Sequence, residues 1–345
     1  MNIAEIDKNF AVQTEINKTD IHYYDVLEEP FRIYGVFYQD GKFRRLPEEV
    51  AKTVSDNVLR LHSLTAGGRV RFRTSSPYIA VVAEMPVIGK NPHVALSGSA
   101  GFDLYDGTRY LKTFIPPYGI SGGYKSIAEL GSAQMRDITI HFPYSSEISK
   151  LYIGLQENAL LEAPKPYAQE VPIVYYGSSI TQGGCASRAG MTYENILSRR
   201  LDADHVNLGF SGSARGEPEI AQYISGLNMS MFVYDYDHNA PSVEHYRETH
   251  EPMFRKIRDA NPDLPIICMG RPQYYLNDNI RQRLEVIEQT VENSRARGDD
   301  KVWMITGPEL MSLTDGEGLV DGCHPTDLGF LSMATALEKL IITIL

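Results

Sequence analysis

The hydrophobic period changes once along this 345-residue chain, at a short proline-bearing stretch, and that change fixes what each half can become. Up to about residue 160, short runs rich in β-branched and aromatic residues (69–74, 78–84, 110–114, 137–142 and 150–156) are separated by Pro and Gly turns. One helical stretch, 47–61, interrupts them. This pattern predicts an all-β, jelly-roll-like sandwich over residues 1–165. The segment 162–170, Glu-Ala-Pro-Lys-Pro-Tyr-Ala-Gln-Glu, reads as a linker. Beyond it, apolar strand candidates at 172–176, 205–208, 231–236, 265–269 and 301–305 alternate with amphipathic helices. One helix is carried by Val243, Tyr246, His250, Met253, Phe254 and Ile257, another by Ile280, Leu284, Ile287 and Val291. Such alternation predicts right-handed βαβ units and an α/β domain over residues 170–345, built on a doubly wound, five-stranded parallel sheet.

Charge and composition narrow the function. A net charge of −11 argues against nucleic-acid binding, which needs a basic surface. The longest apolar runs fall short of a membrane span, so no membrane partner is expected. Met-Asn-Ile-Ala-Glu-Ile-Asp-Lys has no secretory h-region, which predicts a cytoplasmic chain. Cys185, Cys268 and Cys323 are too few and too scattered for a disulfide framework and fit buried thiols in a reducing compartment. The sequence sets no oligomeric state.

Open α/β sheets bind ligands just beyond the carboxyl ends of their strands, and chemistry-bearing residues collect there. Ser179 follows the first strand by three residues, within Gly-Ser-Ser-Ile-Thr at 177–181; Ser178 and Thr181 stand beside it, and a serine in this place can also serve as a helix cap. Thr181 occupies the position of the last glycine of a G-x-S-x-G elbow, which disfavours a lipase-type α/β-hydrolase. Asp321 lies three residues before His324 in Asp-Gly-Cys-His-Pro, a spacing that lets a carboxylate on a tight turn hold an imidazole; the plain alternative is a solvated loop before the last helix. Three oxyanion donors are available: the Gly212 N–H after the second strand, the Asn239 side chain after the third, and the Ser179 N–H. Singly, Gly212 reads as a turn and Asn239 as a helix cap. Arg271, at the end of the fourth strand, is a candidate substrate contact.

Rival chemistries lack their signatures. Asp235, Asp237, His238, His245 and His250 do not form a zinc motif, so no metal is expected. His250 falls on the apolar face of its helix. Cys323 adjoins His324 in sequence, and neighbouring side chains diverge; Cys185 is a candidate pocket residue. The first strand is not followed by G-x-G-x-x-G, so no dinucleotide, and no other cofactor, is called for.

Taken in order, these blocks resemble the SGNH (GDSL-like) hydrolase superfamily over residues 170–345. The resemblance maps the nucleophile to Ser179, with Ser178 where the family has aspartate, the N-x-G-x-S-G block to Asn207, Gly209 and Gly212, and the late D-x-x-H to Asp321 and His324. The third block keeps only Asn239, as Asp-His-Asn-Ala in place of G-x-N-D. Gly-Phe-Asp-Leu-Tyr at 101–105 resembles the G-x-D-L-Y motif of a β-domain that precedes SGNH domains, in a layout similar to two-domain carbohydrate esterases. Asp103 and Tyr105 fall on one strand face and are expected to present polar groups towards the cleft. The resemblance implies a Ser-His-Asp esterase that removes a short acyl group, acetyl first, from a small-molecule or oligosaccharide ester. It leaves two alternatives: a thioesterase or lysophospholipase-type acylhydrolase of the same superfamily, or a sugar-binding protein without activity.

Overall fold

The structure is a computed structural model that describes residues 3–344. In the N-terminal half the strands are β1 (Ile21–Asp25), β2 (Arg32–Tyr34), β3 (Phe37–Gln39), β4 (Lys42–Arg44), β5 (Arg69–Thr74), β6 (Tyr78–Met85), β7 (Phe102–Asp106), β8 (Arg109–Phe114), β9 (Gly122–Glu129), β10 (Arg136–His141), β11 (Lys150–Gln156) and β12 (Leu161–Glu162). They form one antiparallel sheet in the order β1-β11-β6-β9 and a second in the order β12-β5-β10-β7-β8, with β2 added beside β5. Alternate residues of the two sheets meet in one core: Ile79, Val81, Leu151 and Ile153 from the first, Val70, Phe72, Leu104 and Ile140 from the second. This is the antiparallel sandwich that the short alternating runs predict.

The C-terminal half carries β13 (Gln169–Gly177), β14 (Ala203–Gly209), β15 (Met231–Asp235), β16 (Ile266–Met269) and β17 (Val302–Ile305), all parallel, in the order β14-β13-β15-β16-β17. Both faces are buried, as a parallel sheet requires. Val174, Tyr176, Phe232 and Tyr234 face one helical layer, and Ile173, Tyr175, Met231 and Val233 the other. The helices that place the site are α1 (Glu48–Val54), α2 (Asp56–Leu61), α3 (Ser179–Gln182), α4 (Tyr193–Leu201), α5 (Pro218–Ser225), α6 (Val243–Ala260), α7 (Asp278–Ala296) and α8 (Asp327–Ile344). α5, α6 and α7 cover the first face; α4 and α8 cover the second. The chain leaves β13 in both directions, so strand order reverses there and opens the crevice in which such sheets hold ligands.

Two local differences from the sequence reading have physical causes. The helical stretch at 47–61 is two helices, because Ser55 takes extended backbone angles and its hydroxyl caps α2 by accepting the Val58 N–H. These helices do not stay with the sandwich: Ala51 and Val58 pack into the core on the parallel sheet's first face, against α5. The proline-bearing segment is a strap rather than a loose tether. Tyr167 is buried, its hydroxyl accepts from Arg69 Nε at 2.8 Å, and the Arg71 guanidinium lies 3.9 Å from its ring centroid.

Among the described residues no helix is long and apolar enough to cross a membrane.

Candidate active site

Gly177 ends β13 where a Cβ would collide with the Asp235 carbonyl oxygen and with Thr181 Oγ1, so only glycine lets the chain turn from strand into α3 this close to β15. Ser178, where the family has aspartate, is fully buried and caps α3: its hydroxyl accepts the Ile180 N–H at 3.1 Å. That leaves Ser179, the first helical residue, directed at the crevice. Its Oγ lies 2.8 Å from His324 Nε2, and His324 Nδ1 lies 2.7 Å from Asp321 Oδ2. The other carboxylate oxygen accepts the backbone N–H groups of His324 at 2.7 Å and Cys323 at 3.0 Å. Partial burial works to raise the Asp321 carboxyl, but those two N–H groups and the imidazole outweigh it and hold it at about 2. The carboxylate is therefore ionised at neutral pH, and it fixes the histidine from two sides.

The expected oxyanion donors gather at the same mouth. Ser179, Gly212 and Asn239 line one cleft of about 440 Å³ with His324. Gly212 has φ +67°, and a Cβ added there would meet no atom within 4 Å, so its backbone faces open space. Among the described residues neither the Ser179 nor the Gly212 N–H has a protein acceptor. Asn239 Nδ2 gives one hydrogen to the Phe210 carbonyl at 2.9 Å, which aims its amide and leaves the second hydrogen available. Asn239 sits in a 3-10 turn, and Ser242, not Asn239, caps α6.

The remaining candidates lie elsewhere. Arg271 is bound to Asp237, with Nη2 to Oδ1 at 2.9 Å, and is not among the cleft-lining residues. Asp103 and Tyr105 share a face as expected, but both are buried in the seam between the two halves. Asp103 accepts from Arg188 Nη1 and the Gly190 N–H, each at 2.8 Å, and Arg188 also donates to the Tyr105 hydroxyl. These two residues clamp the loop that follows α3 rather than face the cleft.

Several lining residues escape sequence reasoning. Gln182, one turn after Ser179, accepts from the Ser211 N–H and hydroxyl and donates to the Tyr144 carbonyl, joining both halves beneath the cleft. His93 arrives from the N-terminal half, its Nε2 3.8 Å from Asp321 Oδ2. Cys185, by contrast, lines the cleft as the sequence reading expected; burial first, then the nearby Asp321 and Cys323, pushes its thiol up to about 11, so it is no rival nucleophile at neutral pH.

Asp235, beneath this site, gives a pH signature. It is fully buried; Oδ2 accepts the Thr181 hydroxyl at 3.0 Å and Oδ1 has no hydrogen-bond partner. Burial pushes its carboxyl up to about 7 from an ordinary 3.8. A raised folded-state pKa contributes stability that is complete below the unfolded value and is lost as pH climbs through the folded one; three units correspond to about 4 kcal/mol. The contribution of Asp235 should therefore fall between pH 4 and 8, and Asp235→Asn should gain on the parent over that range. Urea midpoints at each pH check this; parallel curves for the two proteins would contradict it.

Comparison with known proteins identifies the family. Residues 170–342 match the model of the GDSL-like lipase/acylhydrolase family, and residues 21–161 match that of the N-terminus of SGNH-hydrolase-type esterases. No curated protein matches. Among solved structures, one described as a GDSL-like lipase from Bacteroides ovatus ATCC 8483 superposes with a TM-score of 0.84 at 26% identity, over 94% of this chain and 98% of that one. The salicylyl-acyltransferase SsfX3 of a tetracycline biosynthetic pathway gives 0.78 at 19%, over 95% and 99%. An acetyl xylan esterase from the rumen bacterium Butyrivibrio proteoclasticus gives 0.62 at 12%, over 94% and 98%; these last two share the fold. With the family model spanning the parallel sheet and every element of the cleft that follows it, the chain belongs to the GDSL-like lipase/acylhydrolase family and is an ester-bond hydrolase.

Proposed function

We propose that this hydrolase is a serine esterase that removes a short acyl group, acetyl first, from a carbohydrate or a related hydroxylated compound, with Ser179, His324 and Asp321 as its triad. The observation that carries the reading is the 2.8 Å approach of Ser179 Oγ to His324 Nε2, with the imidazole already held by Asp321. Ser179 Oγ attacks the ester carbonyl while His324 Nε2 takes its proton. The negative charge that develops on the carbonyl oxygen is met by the Ser179 and Gly212 N–H groups and the Asn239 amide. His324 then gives the proton to the leaving alcohol, and a water molecule, activated by the same nitrogen, hydrolyses the acyl-enzyme. No cofactor enters any step.

Two features support a short acyl group on a hydroxylated partner. Polar side chains, among them Gln182, Asn91 and Ser211, interrupt the lining of the cleft beside Val94 and Tyr144, so it does not form the continuous apolar channel a long chain requires. A structural neighbour that shares the two-part layout is an acetyl xylan esterase. We place the boundary between the two units within 165–170, with the sandwich forming one wall of the cleft through Asn91, His93 and Tyr144.

Release of acetate from acetylated xylo- and manno-oligosaccharides, alongside p-nitrophenyl esters of increasing chain length, tests the reading. Turnover that falls steeply beyond short acyl groups is the expected result; a preference for long-chain esters or thioesters would replace it with the acylhydrolase alternative. Asn239→Ala should lower kcat by about 10²–10³-fold with little change in KM, because the lost donor acts on charge present only in the transition state. A raised KM at constant kcat would remove Asn239 from the oxyanion site.

A further inference from the structure

We propose that His93, Cys185 and His324 form a Zn²⁺ site at the mouth of the cleft, and that its occupation reversibly switches the esterase off. A ring nitrogen of each histidine and the Cys185 Sγ all lie within 4.8 Å of one another. Three soft or borderline donors at that separation fit a tetrahedral zinc ion with a fourth position open to water, whereas Mg²⁺ and Ca²⁺ take oxygen donors.

The donors come from three separate segments. His93 belongs to the N-terminal half, and its ring centroid lies 5.9 Å from that of His324. Cys185 holds φ +75°, a left-handed backbone that a residue with a Cβ rarely adopts. The turn that imposes it is pinned on both sides: the Gly184 N–H bonds to the Ser179 carbonyl at 2.8 Å, and the Tyr144 hydroxyl to the Ala186 carbonyl at 2.8 Å. His324 Nδ1 is occupied by Asp321, so Nε2 is the atom it offers. A carboxylate behind a ligating histidine is the arrangement that orients imidazoles on zinc.

That same geometry makes the site inhibitory. His324 Nε2 is also the partner of Ser179 Oγ, and it cannot hold a metal and accept the serine proton together. On binding, the Cys185 thiol releases its proton to solvent and becomes a thiolate ligand. Zn²⁺, one thiolate and the adjacent Asp321 carboxylate then sum to zero charge, which favours occupancy in a partly buried cleft.

The metal site can be tested apart from the serine-esterase reading on which its inhibitory role rests. Ser179→Ala keeps all three ligands; titrated with Co²⁺, it should bind one equivalent with a thiolate-to-cobalt charge-transfer band that disappears when Cys185→Ser is added. In the active enzyme, Zn²⁺ should inhibit ester hydrolysis and EDTA should restore it, while Mg²⁺ has no effect. Cys185→Ser and His93→Ala, each measured against its own metal-free rate, should raise the half-inhibiting Zn²⁺ concentration at least about tenfold. The proposal is overturned by absence of the cobalt band, by a band that survives Cys185→Ser, or by equal zinc sensitivity in parent and both variants. A protein that shows the band but no ester hydrolysis keeps the metal site and loses the esterase reading.

Discussion

Ser179→Ala is expected to lower kcat on any ester substrate by about 10⁴–10⁶-fold, because members of a triad act as a unit and what remains comes only from binding and the oxyanion donors. The fold should be untouched. The Ser179 hydroxyl is committed to His324 and supports no helix cap, so its removal should move stability by no more than about 0.5 kcal/mol. Ser178→Ala supplies the opposite pattern. Its hydroxyl caps α3, so this change should cost about 1 kcal/mol of stability while turnover stays within about tenfold of the parent. Steady-state rates and urea midpoints on the two single variants separate nucleophile from cap; the reverse pattern, with Ser178→Ala inactive, would assign the chemistry to the wrong serine.

Arg45→Met carries the largest expected effect on stability, about 3–5 kcal/mol, although the residue touches no substrate. Arg45 is fully buried and reaches from the end of β4 into the parallel sheet's edge. Nη1 donates to the Gly209 carbonyl at 2.6 Å and the Asn207 carbonyl at 3.2 Å, Nε to Leu64 at 2.6 Å and Nη2 to Leu61 at 2.8 Å. Methionine fills much of the volume but takes away every hydrogen bond that the guanidinium gives to these carbonyl groups. Two of them belong to the segment that leads to Gly212, so kcat should fall as well. Arg45→Lys should recover little, since an ammonium cannot reproduce the planar fork. Arg109→Met on the exposed β7–β8 hairpin serves as the control and should stay within about 0.5 kcal/mol. Denaturant midpoints followed by intrinsic fluorescence test this; equal midpoints for Arg45→Met and Arg109→Met would mean that the two halves are not joined through Arg45.

Local periodicity made the architecture legible. The apolar runs near 172, 205, 231, 265 and 301 became β13 to β17 within a few residues at each end, since strands buried on both faces are predominantly apolar; β14, at the sheet's edge, also carries Asp204, His205 and Asn207. The strand ends also marked where Ser179, Gly212 and Asn239 would converge, and the i−3 spacing on a tight turn was enough to bring Asp321 to His324. What could not be read was contact between distant segments. Arg45 and Arg69 look like ordinary surface cations in sequence, yet each inserts into the seam and bonds to the α/β half, Arg69 through Asp204 and the His205 carbonyl. His93 follows a plain Asn-Pro and carries no motif, so nothing local signals that it reaches Asp321. Asp103 and Tyr105 were visible as a motif, but strand alternation fixes only which face a side chain takes, not what lies opposite; here it is Arg188. Arg271 illustrates the same limit, since its partner Asp237 sits on a neighbouring strand's loop.

The central claim is that Ser179, activated by His324, is the nucleophile. Incubating the protein with a fluorophosphonate and measuring its intact and peptide masses tests that claim directly. One adduct per chain, located on Ser179, formed in step with the loss of ester hydrolysis and absent from His324→Ala over the same period, is the predicted result. An adduct on Cys185, Cys323 or Ser178, or hydrolysis that continues unchanged while Ser179 is fully modified, would contradict it.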